Sequence, residues 1–246
     1  MTGKAEYLNS VTTLSLLYFG FILGLKHAID ADHLAAVSTI ATERRHLLSA
    51  TLIGALWGLG HTISLFVAGI VVIFLHLEIS VRTSQILELC VGVMLIGLGI
   101  NALRKLAKRG HVHMHVHEHG GHEHAHPHIH HEGQKEEPHT HHGLSFGARP
   151  LFIGIVHGMA GSAALMLMVL ATISSPSVAL MYIAVFGVGS IGGMMIMSTL
   201  FAIPAKLTAS RFRRANLALR GLAGLFSLCF GLFMVYEIGF AGNLFR

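Results

Sequence analysis

Charge is scarce in this chain. Asp, Glu, Lys and Arg make up 12% of its 246 residues, against roughly 25% in soluble domains. With 53% hydrophobic residues and a mean hydropathy of +0.65, too little polar surface remains to clothe a water-soluble globule. Cysteine is nearly missing as well. Cys90 and Cys229 are the only two, and both fall inside apolar runs, so they read as small buried packing residues rather than a disulfide pair. The N-terminus lacks a cleavage pattern, and its first apolar run leads straight into charged residues, which argues against a removed secretory signal. There is no H-E-x-x-H, and no carboxylate stands apart as a general base, which weighs against a membrane-embedded metalloenzyme. The net charge of +5 and pI near 9.5 come mostly from short connecting segments and imply no nucleic-acid partner.

What the chain does have is apolar length and glycine, 28 of them, a combination common in membrane helices. Six runs, at about 11–41, 47–76, 84–106, 147–172, 178–206 and 217–241, are long enough to cross a bilayer. The expected class is therefore an all-α polytopic membrane protein whose main partner is the lipid bilayer. The two halves resemble each other. Gly24-Leu25-Lys26-His27 aligns with Gly154-Ile155-Val156-His157, and Trp57-Gly58-Leu59-Gly60-His61 with Phe186-Gly187-Val188-Gly189-Ser190. Gly92 and Gly99 align in turn with Gly224 and Gly231. Three spans per half forces opposite insertion, the 3+3 inverted-repeat plan of many secondary transporters. The organisation is then an N-terminal segment 1–10, a three-helix unit 11–109, a loop 110–146 and a second three-helix unit 147–246.

If all six runs cross, Arg44, Arg45, Arg104, Lys105, Lys108, Arg109, Lys135, Arg149, Lys206, Arg211, Arg213, Arg214 and Arg220 share one side. Only Lys4, Arg82 and Arg246 fall on the other. The positive-inside rule then places both termini outside and the central loop in the cytoplasm. Residues 111–142 of that loop carry fourteen histidines and almost no large apolar residues. Unable to bury a core, the loop reads as disordered, with imidazoles suited to holding several divalent ions weakly as a store or sensor.

The chemistry concentrates in Gly24-Leu25-Lys26-His27-Ala28-Ile29-Asp30-Ala31-Asp32-His33-Leu34. Lys26, Asp30 and Asp32 at membrane depth cost about 2.5–3.5 kcal/mol each, roughly 7–10 together. Such groups call for a partner, a wet cavity or a cation. On an ideal helix at about 100° per residue, His27, Asp30 and His33 share one face, Lys26 joins them within i, i+4 reach of Asp30, and Asp32 points away. Either Asp32 meets another partner, or the helix unwinds here and the donors converge. Imidazole with carboxylate suits divalent transition metals. His61, in a Gly-rich stretch of the second run, and His157, the repeat mate of His27, are the further candidates to complete or gate the site. Thr62 and Ser162 are possible supports, and Lys26 a group to hold the aspartates between ions. Met194, Met195 and Met197 read as packing, and His46 and His76 as interfacial residues at span ends.

The H-x4-D-H pattern from His27 to His33 resembles the signature of the nickel/cobalt transporter family, and Gly60-His61-Thr62 its second histidine motif. The stretch His157-Gly158-Met159-Ala160-Gly161-Ser162-Ala163-Ala164-Leu165 resembles the urease-accessory, nickel-permease-like branch. The chain departs from the family in carrying Lys26 where Arg is usual, in its six rather than eight runs, and in lacking a later aspartate-bearing motif. The resemblance implies that His27, Asp32 and His33, with Asp30 beside them, carry Ni²⁺ or Co²⁺ as transported substrate, with no resident cofactor and no enzymatic activity. Nickel-enzyme maturation proteins are the partners it suggests, and a plasma membrane the location. A divalent cation gains about 4.6 kcal/mol moving inward down 100 mV, which favours import over export. The alternatives are an efflux transporter, a metalloenzyme and a metal sensor.

Overall fold

A computed structural model describes residues 2–43, 46–75, 80–108, 114–119, 122–127, 145–159, 173, 175–242 and 244. The helices are α1 (Thr2–His27), α2 (Ala31–Ala41), α3 (Leu47–Leu75), α4 (Val81–Lys108), α5 (Ser145–Gly158), α6 (Pro176–Arg211) and α7 (Arg213–Tyr236), which runs into a π-helical turn (Glu237–Ala241). By length and composition α3, α4, α6 and α7 can each cross a membrane, and α1 with α2 passes the same test as one span bent by 56°. This is a multi-pass helical membrane protein. Among the described residues that gives four straight spans and one bent one. The expected run at 147–172 is described only as far as Met159, within and just beyond α5.

The bend has a local cause. Asp30 leaves helical geometry at φ −61°, ψ 147° and stands at the N-cap position of α2 without a side-chain cap bond, while Asp32 sits in the first turn of that helix, where a negative charge suits the dipole. Turn hydrogen bonds from Ile29 N–H to the Lys26 carbonyl (2.9 Å) and from Asp30 N–H to the His27 carbonyl (3.1 Å) close the break. Two of the chain's scarce carboxylates thus stand where a span is interrupted.

Helices α1, α3, α5 and α6 pack closely, and α4 pairs with α7 alongside, with α2 between the two groups. The approaches run through small residues, as membrane helices favour. A Cβ on Gly154 of α5 would strike the Trp57 carbonyl and indole, and one on Gly60 of α3 would strike the Leu151 carbonyl. Hydroxyls satisfy themselves locally or tie helices together. Thr39 Oγ1 donates to the carbonyls of Ala35 and Ala223 (3.0 and 3.1 Å), and Ser227 Oγ to that of Leu95 (2.9 Å). Trp57, Met194, Ala35, Ala36, Val37, Val91 and Leu95 form the larger core cluster, so Met194 packs as expected.

Three expectations need correction. Cys90 and Cys229 are free but exposed rather than buried, because α4 and α7 meet through Gly92, Gly99, Gly224 and Gly231 and leave both cysteines on other faces. Lys26 is exposed and makes no pair with Asp30, whose carboxylate turns to His27 instead. The histidine-rich loop is not wholly without regular structure. Strands β1 (Met114–His119) and β2 (His122–Pro127) pair antiparallel, with His115 opposite His126, His117 opposite His124 and His119 opposite His122. A ribbon needs ladder hydrogen bonds and period-two alternation rather than a core, and Gly120-Gly121 between the strands is a favoured hairpin sequence.

Replacing Gly154 by Val should force α5 away from α3 and lower the melting temperature of the purified protein by well over 5 °C. Gly97→Ala, where an added Cβ meets nothing within 4 Å, should stay near the parent, within about 1 kcal/mol. Similar melting of both variants would refute this account of the helix contact.

Candidate metal centre

The break between α1 and α2 delivers His27 from the last turn of one helix and His33 from the first turns of the next. Helix α3 brings His61, and α5 brings His157 one residue before its end. All four imidazoles are buried, His33 and His61 completely. Ring centroids lie 4.3 Å apart for His27–His33, 5.1 Å for His27–His61, 5.3 Å for His33–His61 and 4.1 Å for His33–His157. Four of the six expected ligand candidates therefore share one interior cluster, drawn from four helices.

The two aspartates sit at its edge and hold the rings. His27 Nδ1 donates to Asp30 Oδ2 at 2.7 Å, and His33 Nδ1 donates to Asp32 Oδ1 at 2.9 Å. Asp32 Oδ2 also accepts from His157 Nε2 at 3.0 Å, and Asp32 Oδ1 from the His33 backbone N–H at 2.8 Å. Because an ionised carboxylate only accepts, these bonds assign the ring protons: His27 and His33 carry theirs on Nδ1 and leave a lone pair on Nε2. The ideal-helix projection that aimed Asp32 away fails because the helix ends before it. Asp32 instead bridges histidines from two helices.

Among the described residues, several buried nitrogens have no hydrogen-bond partner: His27 Nε2, His33 Nε2, both nitrogens of His61, and His157 Nδ1. Leaving a buried polar group unsatisfied costs about 1–3 kcal/mol, so such a concentration calls for a function. Donor atoms of His27, His33 and His61 lie within 4.8 Å of one another, as do those of Asp32, His33 and His157, close enough for each set to close on a single ion. A carboxylate behind an imidazole Nδ1–H, with Nε2 left free, is the arrangement that orients histidine toward a metal. The chemistry on offer is reversible coordination of a divalent cation inside a membrane span.

Sequence reading missed the wall of the site. Trp57 stacks on His33 (5.4 Å, 24°) and meets His157 edge-on (5.5 Å), and Phe186 lies 5.7 Å from His27. The signal was present, since Trp57 precedes His61 by one helical turn and must share its face. Thr62, next to His61 on α3, donates to the Gly187 carbonyl at 3.3 Å. His46 is exposed just before α3. Ser162 and His76 lie outside the described residues.

A polytopic helical membrane protein with an internal set of metal donors is the class that fold and site together define. The chain is 37% identical over 240 residues to the urease accessory protein UreH of Bacillus sp. (strain TB-90), covering 97% of this chain and 98% of that protein. It belongs to the UreH family, and its H-x4-D-H signature resembles that of the nickel/cobalt transporters. No family model matches the chain, and no solved structure matches it.

Asp32→Ala would strand two buried imidazole N–H groups, at about 1–3 kcal/mol each, and should cost roughly 2–6 kcal/mol of stability. Asp30→Ala strands one, at about half that cost. Thermal unfolding of the purified variants checks the order, and equal losses would contradict the bridging role of Asp32.

Proposed function

We propose that the protein is a transporter, not an enzyme, that carries Ni²⁺, or Co²⁺, across the membrane through the His27/His33/His61/His157 cluster. The observation that carries this reading is the convergence of unpartnered imidazole nitrogens at a helix break inside an apolar bundle. Imidazole is a good ligand for nickel, cobalt and neighbouring divalent ions, and broken helices at membrane depth are where transporters bind cargo. The UreH relationship adds the nickel: urease is a nickel enzyme, and an accessory membrane protein that supplies the metal fits the name of the relative. In this reading His27, His33, His61 and His157 bind the ion. Asp30 and Asp32 supply charge and hold the rings, and nickel-enzyme maturation proteins receive the metal.

The architecture we infer is six spans in two inverted halves, with α5 matching α1. Reciprocal packing supports it. Gly24 lies against the Phe186 carbonyl as Gly154 lies against that of Trp57, and Gly189 against that of Phe21 as Gly60 against that of Leu151. Each residue in these contacts is exchanged for its counterpart in the other half. The asymmetry of basic residues favours a plasma-membrane orientation with both termini outside and the histidine-rich loop in the cytoplasm. The membrane potential then favours import by about 4.6 kcal/mol per 100 mV. The loop would serve as a cytoplasmic metal store, an assignment supported by the strand register, which pairs histidine positions across the ribbon.

Radiolabelled nickel flux in right-side-out and inverted vesicles tests the proposal. Inward flux abolished by His27→Ala and by Asp32→Asn, with expression unchanged, is the expected result. Flux only out of the cytoplasmic compartment would make the protein an exporter, and flux indifferent to both substitutions would refute the site. Deleting residues 111–142 should leave the initial rate within about twofold while lowering the nickel retained per cell. Complete loss of flux would instead place the loop on the transport path.

A further inference from the structure

The cluster contains two donor sets rather than one. His27, His33 and His61 form the first, Asp32, His33 and His157 the second, and only His33 belongs to both. The ring centroids agree. His33 is 4.3 Å from His27 and 4.1 Å from His157, whereas His61 and His157 are 6.1 Å apart. The hydrogen bonds divide the His33 ring the same way. Its Nδ1 faces Asp32, which also holds His157, and its Nε2 is without a partner.

We propose that these are two successive positions of the transported ion, with the His33 imidazole handing it from one to the other. The inference rests on the transporter reading above and adds the order of occupancy. In the resting protein the three-imidazole position is ready, because His27 and His33 hold their protons on Nδ1 against the aspartates and present bare Nε2 atoms. The second position is not ready. The nitrogens of His33 and His157 that face Asp32 both carry protons there. Occupying it requires each ring to keep its one proton but move it to the opposite nitrogen, Nε2 in His33 and Nδ1 in His157. Net charge is unchanged, and both receiving nitrogens are free of hydrogen bonds in the resting arrangement. Metal leaving the first position frees His33 Nε2 to take its proton, so departure from one set and arrival at the other are coupled through a single ring. Trp57, stacked on that ring, holds its plane during the exchange. The first set comes from α1, α2 and α3, whereas the second spans α2 and α5, so the transfer moves the ion toward the C-terminal end of α5.

The test separates equilibrium binding from flux in the full-length protein. Ni²⁺ titration calorimetry in detergent and radiolabelled Ni²⁺ flux in proteoliposomes are compared for wild type, His61→Ala, His157→Ala and His157→Gln. The Gln variant can place an amide N–H where His157 Nε2 meets Asp32 and guards against simple misfolding. With two positions, both His157 variants keep one bound equivalent within about threefold of wild-type affinity yet lose at least tenfold in flux, while His61→Ala weakens binding at least tenfold. Equal weakening of binding by His61→Ala and His157→Gln would mean one shared position and overturn the handover alone. So would wild-type flux in His157→Gln. If the wild-type protein neither binds nor transports Ni²⁺, the transporter reading itself fails, and the handover with it.

Discussion

Everything in this structure depends on keeping four histidines buried inside an apolar bundle, with two aspartates at its edge to hold them. At about 2.5–3.5 kcal/mol for each charged residue at mid-membrane depth, the arrangement survives only if every carboxylate has donors and every imidazole has somewhere to put its proton. The break at His27–Ala31 provides this. It frees Asp30 to meet His27, and it turns Asp32 so that one carboxylate accepts from His33 and His157 together. Those same bonds fix the tautomers, and the tautomers decide which nitrogens remain available to a metal. Solvation and function are here one network.

The bundle around that network is built for closeness rather than bulk. Without a hydrophobic drive between helices in lipid, association rests on van der Waals contact and interhelical hydrogen bonds. Glycines on α3, α5 and α6 let backbone meet backbone, which brings His61 and His157 within reach of a helix break on a different span. The same tightness explains how an aromatic wall of Trp57 and Phe186 can enclose the rings on one side. Packing of this kind assembles an interior cluster whose donor atoms lie close enough to close on a single ion.

Much of this was legible in the sequence. Apolar length and scarce charge predicted a polytopic helical membrane protein, and the crowding of polar groups between Lys26 and His33 marked the site. His61 and His157 could be nominated because they stood at matching depth in Gly-rich runs. Other details were not legible, for identifiable reasons. Lys26 looked like the partner of Asp30 because helical periodicity was carried through a point where the helix stops. Cys90 and Cys229 looked buried because apolar neighbours in a membrane protein face lipid as readily as they face a core. The histidine-rich loop looked structureless because composition speaks to cores, while strand pairing depends on register.

By itself, then, the sequence determined that this is a helical membrane protein and which side chains are the candidate donors, because hydropathy and ligand type are properties of residues one at a time. Which histidines meet, which nitrogen each presents, and whether Asp32 faces one ring or two were decided only by the tertiary structure. Those facts are set by a 56° bend and by glycine-limited distances between helices, quantities that belong to pairs of elements distant in the chain.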